Sequence, residues 1–227
     1  MLNSLPVDCK SCAHKSSCIY KVLKENEREA LNKGKVVNGY RKGEIIYKEG
    51  SPATSCFFVQ EGAIKLSKET HLDKAVFIIL RKGGTTIGME SLDNNSIYES
   101  TAQCITDITC CTITSRIMYS LIQKNKAACS FLAFQYNDFI SGLFTHLTIM
   151  GTEKANVRIA RSLLTLMEVG KGRLGNIRIE DLAAISGTTR ETTSRILSRM
   201  KINKLISVSN REINILNEQK LKEFIQK

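Results

Sequence analysis

The sequence has no long hydrophobic run. No stretch among its 227 residues approaches the roughly 20 consecutive apolar residues of a membrane-spanning helix. The segment from Met1 to Cys18 also lacks the apolar core of a secretion signal. We therefore expect a cytoplasmic protein that does not enter a membrane.

Histidine is scarce, which argues against one class of enzyme. The three histidines are His14, His71 and His146, and none has a second histidine at ligand spacing in the strand-like region. A cupin-like metalloenzyme, which would hold a metal inside a β-roll through such residues, is therefore a remote alternative. Catalytic spacing is also absent from the strand-like region, so we expect a binding protein and not an enzyme.

Acidic residues are outnumbered by basic ones, mainly near the C-terminus. The net charge of the chain is +11. Residues 1–151 contain 18 Lys and Arg against 14 Asp and Glu, a net charge of +4, whereas residues 152–227 contain 15 against 8, a net charge of +7. A basic C-terminal region suits a partner that carries phosphates. The charge alone fits DNA, RNA or an acidic membrane equally.

The cysteines form a recognisable group. A reducing cytoplasm keeps thiols unpaired, so clustered cysteines there indicate metal binding or redox chemistry more than disulfides. Three of the eight cysteines lie close together as Cys9-x2-Cys12-x5-Cys18, on a short polar segment. We interpret Cys56 and Cys129 as small apolar residues of a core or a helix seam.

From Val36 to about Thr114 the sequence consists of short apolar or alternating runs. Glycines such as Gly43, Gly50 and Gly62 separate these runs. Brief strands at regular spacing, joined by glycine turns, indicate a compact antiparallel sandwich or roll.

After Arg116 the hydrophobic period becomes helical. Residues at alternate steps of four and three form one row: Cys129, Ala133, Tyr136, Ile140, Leu143, Leu147 and Met150. These are a and d positions, which predict two helices packed along their length. The alternative is a helix that lies on its own domain. A second row (Leu132, Phe139 and Phe144) can cover the roll, so we predict a parallel homodimer through the first row from Tyr136 to Met150.

The C-terminal region has helix-turn-helix spacing. A short helix from Ile179 to Ser186, a turn at Gly187 and a second helix from Thr188 to about Asn203 follow each other. A hairpin from Leu205 to Ile215, with Asn210-Arg211 at its turn, would form a wing. A wing contacts the phosphate backbone, which positions the protein without specifying a sequence.

The outward face of the second helix carries candidate DNA-reading residues. They are Arg190, Glu191, Ser194, Arg195 and Arg199. Arginine can fork onto guanine, glutamate accepts from a cytosine amine, and serine serves several bases or a phosphate. Thr188 and Glu191 also fit a capping box, and Arg199 also fits a solvated or phosphate-facing charge.

The order of these features resembles the Crp/Fnr family of bacterial regulators. The resemblance rests on the glycines of the roll, the long helix and the run from Thr188 to Leu197. It implies an α+β fold with an N-terminal antiparallel, cyclic-nucleotide-binding-like β-roll, a long dimerisation helix and a C-terminal winged helix-turn-helix. We predict a cysteine-rich segment at 1–35, the roll at 36–115, the dimerisation helix at 116–152 and the DNA-binding domain at 153–227.

The oxygen-sensing Fnr branch of that family is similar to this chain at the cysteines. The resemblance implies that Cys9, Cys12 and Cys18 are iron-sulfur ligands and that Cys111 is the fourth, with Cys110 or Cys104 as substitutes. A [4Fe-4S] cluster that reports oxygen or nitric oxide is the expected cofactor. Structural zinc, or a thiol redox switch, is the alternative for the same DNA-binding dimer.

Two positions depart from the branches of the family. The cyclic-AMP branch has an Arg-Ser pair where this chain has Glu99-Ser100, and a carboxylate would repel the phosphate, so no cyclic nucleotide is expected. Arg190 resembles the cyclic-AMP branch while Ser194 resembles the Fnr branch. The resemblance implies double-stranded DNA with an inverted repeat as the site, a GA step read by Glu191 and Arg195, and RNA polymerase as a partner.

Overall fold

The computed structural model describes residues 8–69, 75–93, 95–169, 177–209 and 212–226. No helix within these ranges is both long and apolar enough to cross a membrane. The predicted wing turn, Asn210-Arg211, lies outside the described residues. The N-terminal part contains a 3₁₀-helix, Ile19–Val22, and helix α1, Glu25–Gly34, followed by strands. The strands are β1 (Lys35–Tyr40), β2 (Ile45–Tyr47), β3 (Ser55–Glu61), β4 (Ala63–Glu69), β5 (Ala75–Lys82), β6 (Thr86–Ile87), β7 (Thr101–Cys104) and β8 (Ile108–Thr114).

These strands form two antiparallel sheets that face each other. One sheet has the strand order β1-β8-β3-β6, and the other has the order β2-β7-β4-β5. Buried residues of both sheets, among them Tyr47, Phe57, Ile64 and Ala102, form one core between them. The antiparallel roll expected from the glycine-separated runs is confirmed.

Strand β8 exposes alternate residues to opposite sides of its sheet. Cys110 lies in the core between the two sheets, together with Cys104 of β7. Cys111 lies on the other side, in a cluster with Val37 of β1 and Phe58 of β3. The N-terminal segment covers this outer side of the sheet.

The segment predicted as one helix over 116–152 is two helices. Helix α2 spans Ser115–Lys124, and helix α3 spans Lys126–Thr152. Asn125 separates them with an extended backbone, and its Oδ1 accepts hydrogen bonds from the backbone N–H groups of Ala127 and Ala128 at 2.9 and 3.2 Å. A side chain that satisfies the first amides of a helix starts that helix anew, which explains the break.

The faces of α3 differ by one residue from those expected. Phe139 and Leu143 pack against the core of the roll, whereas Phe144 is 67% exposed. Seven residues advance an α-helix by about −20°, eleven by about +20° and twelve by about 120°. Counted from buried Leu132, Phe139 and Leu143 therefore share a face and Phe144 does not. The prediction that Phe144 covers the roll is wrong.

The C-terminal part contains a core of four helices and a hairpin. Its elements are α4 (Ala155–Val169), α5 (Ile179–Ile185), α6 (Arg190–Ile202), β9 (Ile206–Ser209), β10 (Glu212–Ile215) and α7 (Glu218–Gln226). Leu163, Leu182 and Leu221 are fully buried within it. Ala63 and Ile105 of the roll belong to the same core. An ion pair also joins the two parts, with Lys65 Nζ 2.7 Å from Asp181 Oδ1. The predicted order of helix, turn, helix and hairpin is confirmed.

Candidate DNA-binding surface and cysteine site

The turn between α5 and α6 has a conformation that suits glycine. Gly187 has a φ of +57°, and a side chain there would also meet the sulfur of Met150 at the end of α3. Thr189 caps α6, because its side chain accepts a hydrogen bond from the backbone N–H of Thr192 at 3.2 Å. The cap is therefore Thr189, and the expected capping box from Thr188 to Glu191 is one residue out of register.

Helix α6 separates its buried residues from its candidate reading residues. Thr193, Ile196, Leu197 and Met200 are buried against the rest of the motif. The five predicted reading residues are all exposed: Arg190, Glu191, Ser194, Arg195 and Arg199. A row of exposed polar side chains on the second helix of such a motif is suited to a DNA groove.

Neighbouring groups hold the first two candidate reading residues. Hydrogen bonds from the Glu191 backbone and from Thr189 keep the pKa of the Glu191 carboxyl below its usual value. The guanidinium Nε of Arg190 lies 3.0 Å from Oε1 of Glu180, which belongs to α5. The sequence analysis did not single out Glu180, because its partner is ten positions away on another helix.

Arg158 of α4 joins the long helix to the helix-turn-helix. Its Nη1 donates to the carbonyl oxygen of Glu153 at 2.7 Å, just after α3 ends. Its Nε and Nη2 donate to the carbonyl oxygens of Ser186 and Gly187 at 2.8 and 3.0 Å. One side chain therefore sets the turn of the motif relative to the end of α3.

The four predicted cluster ligands line one small cavity. Cys9, Cys12 and Cys18 of the N-terminal segment and Cys111 of β8 surround a volume of about 30 Å³. The other walls are formed mainly by apolar side chains, which include Phe131 and Leu132 of α3. Two segments far apart in the chain thus place four thiols around one cavity beside the long helix.

Burial and the side chain of Gln60 set the chemistry of this cavity. Burial raises the pKa of the Cys9 thiol, and it raises that of Cys18 to about 11 and that of Cys111 to about 12. The amide Nε2 of Gln60 lies 3.2 Å from Sγ of Cys111 and 3.6 Å from Sγ of Cys12. Gln60 lies on the roll and thus donates hydrogen bonds to two of the cysteine sulfurs. The sequence pattern gave no sign of this residue.

The other cysteines lie away from the cavity. Cys104 and Cys110 are in the core between the sheets. Cys56 is buried beside the hydroxyl of Ser91 at 3.1 Å, and Cys129 is exposed on α3.

In the part of the chain that the structure describes, no group of three or more His, Cys, Asp or Glu side chains stands in an arrangement that could hold a metal ion.

Asn125 connects the cysteine segment to the start of α3. Its Nδ2 donates to the carbonyl oxygen of Val22 at 3.1 Å and to Oε2 of Glu27 at 2.7 Å. Oε2 of Glu27 also accepts a hydrogen bond from the backbone N–H of Lys24. A displacement of the segment that follows Cys18 would therefore act on the first turn of the long helix through one side chain.

We predict that Asn125→Ala destabilises the protein by about 2 to 4 kcal/mol. The substitution removes a helix cap, which is worth about 1 kcal/mol. It also removes one of the two hydrogen bonds that Oε2 of buried Glu27 accepts, which costs about 1 to 3 kcal/mol for a charged acceptor. Urea unfolding followed by circular dichroism measures the loss. Asn125→Ser is the matched control, because its hydroxyl keeps a cap acceptor, removes the amide donor and adds no charge beside Glu27. A loss below about 0.5 kcal/mol for Asn125→Ala would contradict this role.

Exposed apolar side chains form a stripe along α3. Tyr136, Ile140, Phe144 and Leu147 are each at least 40% exposed. Leu143 and Met150 of the predicted interface row point elsewhere: Leu143 packs on the core of the roll, and Met150 lies beside Gly187.

The inside of the roll is occupied by aromatic side chains. The rings of Tyr47 and Tyr98 are stacked with centroids 4.0 Å apart, and Phe57 lies against both. On the surface, the carboxylate of Glu99 lies 2.9 Å from Nζ of Lys68.

Comparison with known proteins connects both halves of the chain to described domains. The family model of a cyclic nucleotide-binding domain matches residues 37–125, and that of a Crp-like helix-turn-helix domain matches residues 157–224. A cyclic AMP receptor protein of Thermus thermophilus is 28% identical over 159 residues, which cover 70% of this chain and 73% of the relative. A fumarate and nitrate reduction regulatory protein of Vibrio cholerae is 24% identical over 229 residues, which cover 96% of this chain and 90% of the relative. The solved structure of a CRP-family transcriptional regulator of Thermus thermophilus has a TM-score of 0.70 at 20% identity, covering 84% of this chain and 97% of that one.

Proposed function

Because the chain belongs to the Crp/Fnr family of DNA-binding transcription regulators, we propose that it is a homodimer that reads an inverted-repeat DNA site with helix α6. The observation that carries this proposal is the row of five exposed polar side chains on α6. Two such helices related by a two-fold axis would enter successive major grooves about 34 Å apart. The protein would act in the cytoplasm and contact RNA polymerase at its target genes.

The reading residues have separate proposed roles. Glu191 accepts a hydrogen bond from a cytosine amine, and Arg195 forks onto a guanine, so that together they read the G·C pair of a GA step. Arg190 reads a second guanine, and Ser194 contacts a base or a phosphate. Arg199, nearer the end of the helix, contacts the backbone and positions the protein without specifying sequence.

The proposed cofactor is a [4Fe-4S] cluster held by Cys9, Cys12, Cys18 and Cys111. The support is that these four thiols line one cavity with mostly apolar walls, since four thiolates are a complete ligand set for such a cluster. The donor set fits in number and type, and the thiols have to move closer together to ligate. When bound, the cluster would supply sensitivity to oxygen or nitric oxide.

The chain's own residues would carry that signal to the long helix. Cys18 immediately precedes the 3₁₀-helix Ile19–Val22, whose last carbonyl accepts from Asn125. Phe131 and Leu132 of α3 also form part of the cavity wall. A cluster that ties Cys9, Cys12 and Cys18 to Cys111 would thus fix the N-terminal segment against the first turns of α3. At the C-terminal end of α3, Arg158 would fix the position of the recognition helix. The ligand thereby shifts a population between two arrangements of one dimer.

Zinc and a thiol switch are weaker candidates for the same cavity. Zinc could use the same four thiolates, but structural zinc sites usually have two close-spaced cysteine pairs, and this chain has one. A simple thiol switch needs a reactive thiolate. Without a metal, the raised pKa of buried Cys18 and Cys111, about 11 and 12, keeps both thiols protonated near neutral pH and therefore poorly reactive. A bound metal would itself displace these protons, so the same pKa values do not exclude ligation.

We also propose that the roll does not bind a cyclic nucleotide. Stacked Tyr47 and Tyr98 occupy space between the sheets. Glu99 stands where the cyclic-AMP branch has its arginine, and its carboxylate lies 2.9 Å from Nζ of Lys68, so that neither side chain offers a free cation to a cyclic phosphate. Isothermal titration with cyclic AMP and cyclic GMP is expected to show no binding at millimolar concentration.

The proposed dimer interface is the exposed stripe of α3, which gains Phe144 relative to the sequence prediction. We predict that Phe144→Glu raises the dimer dissociation constant at least about 100-fold, because two buried aromatic side chains would become charges. Phe134→Glu is the matched control, since Phe134 is 72% exposed on another face of the same helix. Sedimentation velocity measures the dimer dissociation constants of both variants. Equal values for the two would contradict the proposal that the stripe with Phe144 forms the interface.

Reconstitution with different metals tests the proposed function. Metal-free protein is treated without oxygen with iron and sulfide, or with zinc, and its affinity is measured for a duplex selected from a random library. The proposal predicts that treatment with iron and sulfide gives a coloured protein with a higher affinity for the selected duplex, and that treatment with zinc does neither. Equal affinity after zinc treatment would favour the structural-zinc alternative. No selected sequence under any condition would overturn the DNA-reading role.

A further inference from the structure

The ion pair between Glu180 and Arg190 lies on the proposed DNA-facing surface. Oε1 of Glu180 is 3.0 Å from Nε of Arg190, and the side chains are 56% and 67% exposed. Surface ion pairs of this kind contribute little to folding. The pair joins the second residue of α5 to the first residue of α6, so both partners lie at the N-terminal ends of the two helices of the motif.

The contact restricts the direction of the Arg190 side chain before any DNA is bound. A long, flexible arginine loses rotamer freedom when it binds a base, and a side chain that is already held loses less. The guanidinium has five N–H donors in a rigid fork. A contact through Nε leaves donors on the terminal nitrogens for the edge of a guanine.

The same carboxylate discourages another use of Arg190. If Arg190 turned from the base to a phosphate, Glu180 would remain unpaired close to the negatively charged backbone. Discrimination between partners depends on penalising the wrong complex as well as on stabilising the right one. The carboxylate therefore acts on specificity more than on affinity.

We propose that Glu180 is a specificity-determining residue that holds Arg190 in the orientation that reads one guanine and penalises placements of Arg190 on phosphate. The inference rests on the proposed role of Arg190 in base reading. Glu180 itself does not contact a base. It acts through Arg190, as a positioning residue.

The test compares Glu180→Gln with the wild-type protein on duplexes in which each base pair of the half-site is changed in turn. The position read by Arg190 is the one at which Arg190→Ala removes the preference. The preference at that position is the affinity for the unchanged duplex divided by the affinity for the duplex substituted there. We expect Glu180→Gln to reduce this ratio at least about fivefold. Affinity for unrelated DNA should stay equal or rise, and preferences at other positions should be unchanged.

Glu218→Gln is the matched control. It removes the same charge from a surface ion pair with Lys222 in the same domain, on α7. A charge effect alone would raise the affinity of both variants for every duplex and leave all ratios unchanged, which would overturn the inference. A preference lost with Arg190→Ala but kept with Glu180→Gln would also overturn it while the reading role of Arg190 stands. No change of preference with Arg190→Ala would overturn both.

Discussion

A Cys111→Ser variant prepared without oxygen should contain less than about one iron per chain after treatment with iron and sulfide, against about four in the wild-type protein. Cys111 is the one proposed ligand on the rigid roll, while the other three lie on the N-terminal segment. Without it the segment has no sulfur anchor on β8. Serine nearly preserves the volume and leaves Gln60 a hydrogen-bond acceptor, so the fold should be retained.

Two further cysteine variants make this prediction specific. Cys129→Ser changes an exposed cysteine outside the cavity and should leave the iron content unchanged. Cys104→Ser tests the alternative fourth ligand, whose side chain lies in the core between the sheets. Iron retained in Cys111→Ser but lost in Cys104→Ser would show that the fourth ligand was assigned wrongly. Iron, sulfide and visible absorbance are measured on all three variants.

Replacing Arg195 with alanine should nearly abolish specific DNA binding. A bidentate contact between arginine and guanine contributes about 1 to 3 kcal/mol of discrimination, and a dimer makes it twice. The expected loss is about 2 to 6 kcal/mol, or roughly 30-fold to 20,000-fold in Kd. Fluorescence anisotropy on the selected duplex and on a scrambled duplex measures it.

Lys201→Ala is the control for Arg195→Ala. It removes one positive charge from the last turn of the same helix, where Lys201 is exposed. A cation that only neutralises phosphate should weaken binding to both duplexes about equally, with a smaller dependence on salt. If Arg195→Ala behaves in the same way as Lys201→Ala, Arg195 does not read a base.

Local signals were sufficient for most of the fold. The turns of the roll and the helix-turn-helix depend on glycine positions and on hydrophobic periods that are visible over about ten residues. The separation of Cys110 from Cys111 also follows from the two-residue period of a strand. Their assignment to the interior and to the cysteine cavity needed the register of β8 against β1 and β3.

Other features depend on a small difference between two hydrophobic repeats along a helix, or on one capping side chain. Repeats of 3.5 and 3.6 residues are almost equal over two turns, so the pattern could not decide whether Leu143 or Phe144 covers the roll. The break at Asn125 was overlooked, although asparagine is a favoured cap and was the available signal. The row from Cys129 begins just after that break and gives no sign of it.

The residues that connect the sites could not have been found from sequence patterns. Asn125 and Glu27 are 98 positions apart, and Gln60 and Cys111 are 51 positions apart. Arg158 binds the carbonyl oxygens of a turn 28 and 29 positions away. Such contacts leave no periodic pattern, because they depend on how distant elements pack.

The most direct test is one preparation of the wild-type protein, purified without oxygen and measured before and after exposure to air. Its visible spectrum, iron and sulfide content, and affinity for the selected duplex are determined in both states. We predict a brown protein with about four irons per chain that loses colour, iron and specific DNA affinity in air. A colourless, iron-free protein after attempted reconstitution, or an affinity that air does not change, would contradict the proposal that the cysteine cavity controls DNA binding.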